Sequence, residues 1–273
     1  MSSELIIPSQ NIVCMIITCF VAFATPVGLA VYFRKKLKAA VMPFLIGCGM
    51  FVLFALILES LMHQLVLNGS GAFGETIKNN IWLYGVYGGM AAGIFDETGR
   101  LVGMKFLMKN KLTPQNALMY GAGHGGIEAM ILVGVTYLSN IVLAFVINAG
   151  MMESVLGDTA TQRGVMDSLA TLATTSSWLF LLGGAERLIA ITLQIALSIF
   201  VYIAVTQKGK WYMFLIAILI HAGVDFIAVV AMKKISVYAV ELIILICTLV
   251  VAFIARKLYL KLKAQTVVEE TLI

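Results

Sequence analysis

Charged residues are scarce in this sequence. Aspartate, glutamate, lysine and arginine make up 12% of its 273 residues, whereas 61% are hydrophobic. Soluble proteins carry about 25% charged residues, so this composition excludes an ordinary soluble domain and requires lipid as the solvent for most of the surface. The net charge of +5 does not indicate nucleic-acid binding, because the basic residues flank apolar runs and form no patch on a soluble domain.

Signals of secretion and of disulfide bonding are also missing. Residues 1–8 contain no lysine or arginine, whereas a cleaved signal peptide begins with a positive region. We therefore expect the first apolar run to be retained as a membrane span. The four cysteines all lie in apolar runs without C-x-x-C spacing, so the sequence indicates no disulfide framework and no cysteine metal site.

What the sequence does contain is long apolar runs. A transmembrane helix needs about 20 such residues, and the runs lie at 9–33, 41–66, 81–104, 114–138, 178–205, 211–232 and 236–255. We predict an all-α polytopic membrane protein with seven transmembrane helices, in which residues 1–273 form a single integral membrane domain. Residues 139–177 fit an interfacial amphipathic helix, a re-entrant segment or an eighth span, and these alternatives stay open.

The basic residues predict the orientation. Lysine and arginine concentrate at 34–38, 105–111, 208–210 and 256–263, after alternate spans. Cytoplasmic flanks are enriched in these residues, so the N-terminus is expected outside and the C-terminus inside. The absence of soluble additions suits a protein of the bacterial plasma membrane.

Seven ionisable residues interrupt three of the predicted spans. A charge at the bilayer centre costs several kcal/mol, so such residues usually face a bundle interior or a water-filled cavity. Spacings of three or four residues put the members of each span on one helix face, and all three groups fall roughly 10–15 Å from the cytoplasmic surface. The residues are Asp96, Glu97, Arg100, His124, Glu128, His221 and Asp225.

The motifs that are absent limit the chemistry. The chain has three histidines and neither H-E-x-x-H nor G-x-S-x-G, which leaves zinc and serine catalysis without motif support. A metal site drawn from Glu97, His124, Glu128 and His221 is the less favoured alternative, and zinc would be its metal. We favour hydrolysis of an amide without a cofactor, in which a carboxylate acts on water as general base and a histidine stabilises the oxyanion.

Three strings resemble a known family. FDETGR at 95–100, YGAGHGGIEA at 120–129 and HAGVD at 221–225 resemble the YhfC family of intramembrane proteases, described as glutamic-type. The resemblance covers about residues 80–230, the expected catalytic core, and includes Glu186 and Arg187. The chain is more distantly similar to the PrsW and CAAX-prenyl-protease (CPBP) superfamily, which implies a CPBP-like helical bundle.

The resemblance implies a role for each motif. It makes Glu97 the catalytic glutamate with Arg100 as its basic partner, places Glu128 in the second motif and places His221 and Asp225 in the third. His124 stands where the prenyl-protease pattern has phenylalanine, and Asp96 replaces its first glutamate. The implied activity is hydrolysis of a peptide bond near the cytoplasmic side of the membrane, in a membrane-protein or lipidated peptide substrate.

Two other classes of function stay open. Buried Asp, Glu and His relays also serve proton- or ion-coupled transporters, although the chain shows no inverted repeat. A non-catalytic binding or immunity protein that keeps the polar pocket is the third reading. Loss of cleavage in a Glu97→Gln variant would separate the protease from both.

Overall fold

The computed structural model describes residues 6–69, 72–151 and 170–271, and nearly all of these are helical, with no β-strand among them. The helices, in chain order, are α1 (Ser9–Leu37), α2 (Met42–Leu67), α3 (Ala72–Asn79), α4 (Ile81–Val102), α5 (Pro114–Asn148), α6 (Ser177–Thr206), α7 (Tyr212–Ala231) and α8 (Val237–Thr271). Within the described residues, six of them, all except α3 and α4, are long and apolar enough to cross a membrane. The predicted helical membrane fold is confirmed.

Helix α4 occupies the third predicted span but is not among these six helices. It has 22 residues, which is long enough to span, yet it carries Asp96, Glu97 and Arg100 in its second half. The number of spans and their orientation therefore stay predictions, as does the CPBP-like arrangement. Helix α5 extends ten residues beyond the predicted end at 138. Residues 152–169 lie outside the described residues, so the alternatives for 139–177 are not decided.

Three π-helical segments interrupt the regular helices in the described part of the chain. They lie at Val52–Glu59 within α2, at Gly103–Leu107 directly after α4 and at Met130–Val135 within α5. A π-helical turn has i→i+5 hydrogen bonds and often occurs at functional sites. The first segment ends at Glu59, so it sets the direction of the α2 residues that follow.

The chain divides into two compact units. The first comprises Met1–Thr25 and Ala129–Leu188, and the second comprises Pro26–Glu128 and Ile189–Ile273. Side chain to backbone hydrogen bonds hold the first unit together: Asn11 Nδ2 donates to the Leu172 carbonyl at 2.8 Å, and Thr18 Oγ1 donates to the Phe180 carbonyl at 2.7 Å. The single integral domain and the 80–230 core stay predictions.

In the second unit, α4 packs closely against α7. Asn80 caps α4, because its side-chain oxygen accepts from the backbone N–H groups of Trp82 and Leu83. A Cβ at Gly93 would lie 2.7 Å from the Ile218 carbonyl oxygen, and one at Gly89 would overlap the backbone of α7. Glycines at these positions allow the two backbones to approach, and this contact brings the polar residues of α4 to those of α7.

Candidate active site

All seven sequence-predicted residues lie in the second unit, and the structure brings six of them into direct contact with another member or with a shared partner. Helix α4 supplies the aspartate, the glutamate and the arginine, α5 supplies His124 and Glu128, and α7 supplies His221 and Asp225. The seventh, Asp225, lies at the edge of the cluster, with Oδ2 3.7 Å from His221 Nε2. We call these seven residues the polar cluster.

Glu97 forms a buried ion pair with the arginine one turn further along α4. Arg100 Nε donates to Glu97 Oε2 at 2.9 Å, and a second guanidinium nitrogen donates to Oε1 at 3.3 Å. His221 Nδ1 lies 3.0 Å from the same Oε1 and donates to it. Both oxygens of Glu97 are therefore engaged and the side chain is fully buried, so this carboxylate holds His221 with Nε2 directed elsewhere.

Asp96 faces two imidazoles. Its Oδ2 lies 3.2 Å from His124 Nε2 and 3.7 Å from His221 Nε2. Asp96 Oδ1 and His124 Nδ1 are buried and, within the described residues, have no hydrogen-bond partner. A buried polar group left in this way costs about 1–3 kcal/mol, which indicates that these atoms serve a ligand or a reacting group.

The His124 ring is fixed by its neighbours. It packs edge-on against Phe51, with ring centroids 5.3 Å apart, and stacks on Tyr120 at 6.0 Å. His124 is fully buried. Packing on both sides determines the direction of the ring nitrogens, so the contacts with Phe51 and Tyr120 hold Nε2 beside Asp96.

Gln194 connects the cluster to α6 and was missed by the sequence analysis. Its Nε2 donates to Asp96 Oδ2 at 3.2 Å and to Glu128 Oε2 at 2.9 Å, and its Oε1 accepts from Arg100. The Gln194 backbone carbonyl also accepts from Arg100, at 2.7 Å, and Ser198 Oγ is a further partner of that guanidinium. An amide and a hydroxyl four residues apart in an apolar span were the available signal, which a search for ionisable residues passes over.

Glu186 and Arg187 lie in the first unit, outside the polar cluster. The Arg187 guanidinium donates to Glu186 Oε1. Arg187 is buried, whereas the Glu186 side chain is 40% exposed. The resemblance includes this pair, and its role stays a prediction.

The donor set of the cluster has the chemistry that zinc prefers. As placed, no group of three or more His, Cys, Asp or Glu side chains among the described residues could hold a metal ion. Even so, neutral imidazole and carboxylate are zinc ligands, and the contact of His221 Nδ1 with Glu97 is the carboxylate–histidine pairing that orients zinc-binding imidazoles. The side chains of Asp96, His124 and His221 are therefore of the type that binds zinc, and Glu97 lies behind His221.

Asp96 Oδ2 lies close to one nitrogen of each of two histidines. It is 3.2 Å from His124 Nε2 and 3.7 Å from His221 Nε2. Both Glu97 oxygens are engaged by Arg100 and by His221 Nδ1, so Asp96 is the carboxylate next to both Nε2 atoms. The predicted donor set of Glu97, His124, Glu128 and His221 stays a prediction.

The sequence comparisons agree with the membrane fold. A model of the family described as "YhfC intramembrane metalloprotease" matches residues 21–248. The uncharacterized membrane protein YhfC of Bacillus subtilis (strain 168) is 37% identical over 253 residues, which cover 92% of this chain and 97% of the relative. No solved structure matches.

These findings confirm the predicted family and the membrane location, which is consistent with a bacterial plasma membrane. The family match includes all seven residues of the polar cluster and the helices that carry them. This chain belongs to the YhfC intramembrane metalloprotease family.

Proposed function

We propose that the chain is an intramembrane endopeptidase and that the polar cluster is its active site. The observation that carries the proposal is the convergence of Asp96 Oδ2 with the Nε2 atoms of His124 and His221, beside buried polar atoms that have no hydrogen bond among the described residues. A buried cluster of this kind is expected where water and a peptide bond meet inside a membrane. The description of the family as metalloproteases supports the same class of reaction.

Asp96, His124 and His221 are the residues that would hold the metal. Zinc would polarise the substrate carbonyl and make its bound water acidic enough to react near neutral pH. Glu97 orients His221 through Nδ1, and Arg100 keeps Glu97 in place. This assigns Glu97 a positioning role, whereas the sequence favoured it as the general base.

Glu128 is the proposed general base. It shares the Gln194 amide with Asp96, so its carboxylate lies next to the donors. Glu128 removes a proton from the attacking water, whose oxygen adds to the peptide carbonyl carbon. The C–N bond then breaks, and the same proton passes to the leaving amine nitrogen. Water and one peptide bond give one carboxylic acid and one amine, and the acid then gives its proton to the amine to leave a carboxylate and an ammonium group.

The test compares cells that express the wild type or one of three variants at matched levels. Asp96→Asn and Glu97→Gln alter the cluster, and Glu75→Gln, on α3 and exposed, is the control. N-terminal peptides are enriched from their membranes. New N-termini beside transmembrane segments are expected with the wild type and Glu75→Gln, and they should be lost in Asp96→Asn. Identical profiles in all four strains would contradict the proposal and favour the transporter or the binding protein.

Metal dependence is measured separately on purified protein. The wild type is expected to contain about one zinc per chain, and a chelator should abolish cleavage until zinc is restored. Asp96→Asn should lose both metal and activity. Glu97→Gln, which retains the three donors, should bind zinc about 10–100-fold more weakly because it weakens the support of His221. If the wild type is fully active without metal, a carboxylate alone activates the water.

A further inference from the structure

A cavity lies beside the polar cluster. It has a volume of about 350 Å³, within the range of roughly 300–1,000 Å³ that is usual for ligand pockets. Helices α2, α4 and α7 form its walls. The lining residues are His63, Leu67, Tyr84, Tyr87, Gly88, Asp225, Ala228 and Val229.

One wall of this cavity carries a chain of polar side chains. His63 Nδ1 lies 2.9 Å from the Tyr87 hydroxyl, and His63 Nε2 lies 3.2 Å from Glu59 Oε1. Glu59 and His63 are one turn apart on α2. Glu59 is the last residue of the π-helical segment, and its side chain is only 12% exposed. The His63 side chain is 34% exposed and Tyr87 is half-buried, so a carboxylate, an imidazole and a phenol are linked where the cavity meets an apolar helix bundle.

Asp225 links the cavity to the polar cluster. It lines the cavity and lies 3.7 Å from His221 Nε2. Its side chain is 37% exposed, whereas those of His221 and Asp96 are each 6% exposed and that of Glu97 is fully buried. Exposure therefore falls from the cavity towards the proposed reacting groups, which marks the cavity as a route to them.

We propose that this cavity binds an unwound segment of the substrate polypeptide next to the bond to be cut, an inference that rests on the proposed peptidase function. A helical substrate holds its peptide groups in internal hydrogen bonds, and an unwound segment in the membrane must find other partners. The Asp225 carboxylate and the hydroxyls of Tyr84 and Tyr87 supply them, while Leu67 and Val229 contact apolar side chains.

Gly88 gives the peptide backbone room to approach. A Cβ at this position would meet no atom within 4 Å, although Gly85 and Gly89 on either side are closely packed. Helix packing therefore explains Gly85 and Gly89 but leaves Gly88 without a packing role. A glycine in the wall of a binding cavity allows close approach of another backbone.

The open space at Gly88 permits a steric test. Gly88→Leu adds a side chain to the cavity wall at a position where a Cβ meets no atom within 4 Å. Gly28→Leu is the control, because Gly28 on α1 is exposed and also has no atom within 4 Å of a Cβ. The substrate found by N-terminal enrichment is presented in proteoliposomes. Gly88→Leu is expected to lower kcat/KM by about 10-fold or more, with unchanged zinc content and thermal midpoint. Gly28→Leu should match the wild type.

Photocrosslinking identifies the occupant directly. Tyr84 is replaced by p-benzoylphenylalanine in the Asp96→Asn background, which lacks cleavage and retains its substrate. Illumination of membranes is expected to give a covalent adduct with a polypeptide, and Gly88→Leu should abolish that adduct. Adducts with lipid alone, or normal cleavage by Gly88→Leu, would overturn the inference.

The two proposals fail in different ways. If the wild type cleaves peptides and Gly88→Leu cleaves them equally well, the cavity is not the substrate site and the peptidase function stands. If the wild type cleaves nothing, the peptidase function falls. A polypeptide adduct at position 84 would then favour the binding-protein reading, and its absence would leave neither proposal standing.

Discussion

Asp96 and Glu97 are adjacent in the sequence, but their carboxylates have different contacts. Glu97 is fully engaged by Arg100 and His221, while Asp96 presents one oxygen to two imidazoles and another that has no hydrogen bond within the described residues. Neighbouring residues on a helix point about 100° apart, so one carboxylate faces its support and the other faces the proposed site. This difference is the basis for proposing Asp96 as a metal-holding residue and Glu97 as the support of His221.

Removing Arg100 should destabilise the protein more than removing the pair. Arg100→Leu leaves the buried Glu97 carboxylate without its guanidinium, and loss of one partner of a buried pair costs about 3–5 kcal/mol. We expect a clearly lower thermal midpoint in detergent, partly restored in the Arg100→Leu, Glu97→Gln double variant. A double variant as unstable as the single one would show that Arg100 acts mainly through Gln194 and Ser198.

Gln194 should be essential although it cannot exchange protons. Gln194→Leu removes two donated hydrogen bonds to carboxylates, each worth about 1.5–3 kcal/mol, so we expect cleavage to fall by about 100-fold. Gln194→Glu should fall at least as far, because it puts a third carboxylate between Asp96 and Glu128. Both are compared with the wild type for zinc content and kcat/KM. Activity within about 2-fold of the wild type would show that Asp96 and Glu128 need no bridge.

The sequence was sufficient to find the seven ionisable residues of the polar cluster, because charged residues are rare in apolar spans. It could not assign their partners. Whether the His221 imidazole pairs with Asp96, Glu97 or Asp225 depends on helix rotation, which spacing along one chain does not determine. The contacts of His63 with Tyr87 on another helix and with Glu59 likewise depend on how the helices pack, and His63 and Tyr87 line a cavity.

The sequence of α4 indicates that this helix packs closely against another one, but it does not indicate which helix that is. Gly85, Gly89 and Gly93 recur at four-residue spacing, which is typical of a close helix contact, and the structure identifies α7 as the partner of Gly89 and Gly93. The three π-helical segments had no sequence signal, since they contain ordinary apolar residues. Their i→i+5 hydrogen bonds change the register of the side chains that follow, so a single 3.6-residue period does not describe a helix face across them.

Adding a side-chain carbon where α4 and α7 touch should reduce both the stability and the activity of the protein. A Cβ in Gly89→Ala would overlap the carbonyl oxygen of Ala222, so the backbones must separate, at a cost of about 1–3 kcal/mol. The separation also moves Glu97 away from His221. We expect a lower thermal midpoint and weaker zinc binding, measured against Gly28→Leu. An unchanged midpoint would mean that α7 shifts freely at this position.

At the scale of the whole molecule, the polar cluster joins distant parts of the chain. Contacts between Arg100 and Gln194 span 94 residues, and those between Glu97 and His221 span 124. The hydrophobic core of the second unit likewise includes residues from Met50 to Leu262. The overall class could be read from hydropathy, but this long-range pairing could not, because each apolar span is compatible with many neighbours.

The same pairing has a consequence for how the protein is made. The ribosome delivers α4 before α6 and α7 exist, and each of Asp96, Glu97 and Arg100 opposes insertion by up to about 2.5–3.5 kcal/mol near the bilayer centre. In an insertion reporter, residues 79–104 alone should integrate poorly, and replacement of these three residues by leucine should restore integration. Efficient insertion of the natural segment would contradict this. We therefore expect Asp96, Glu97 and Arg100 to delay the membrane insertion of α4 until α6 and α7 have been synthesised.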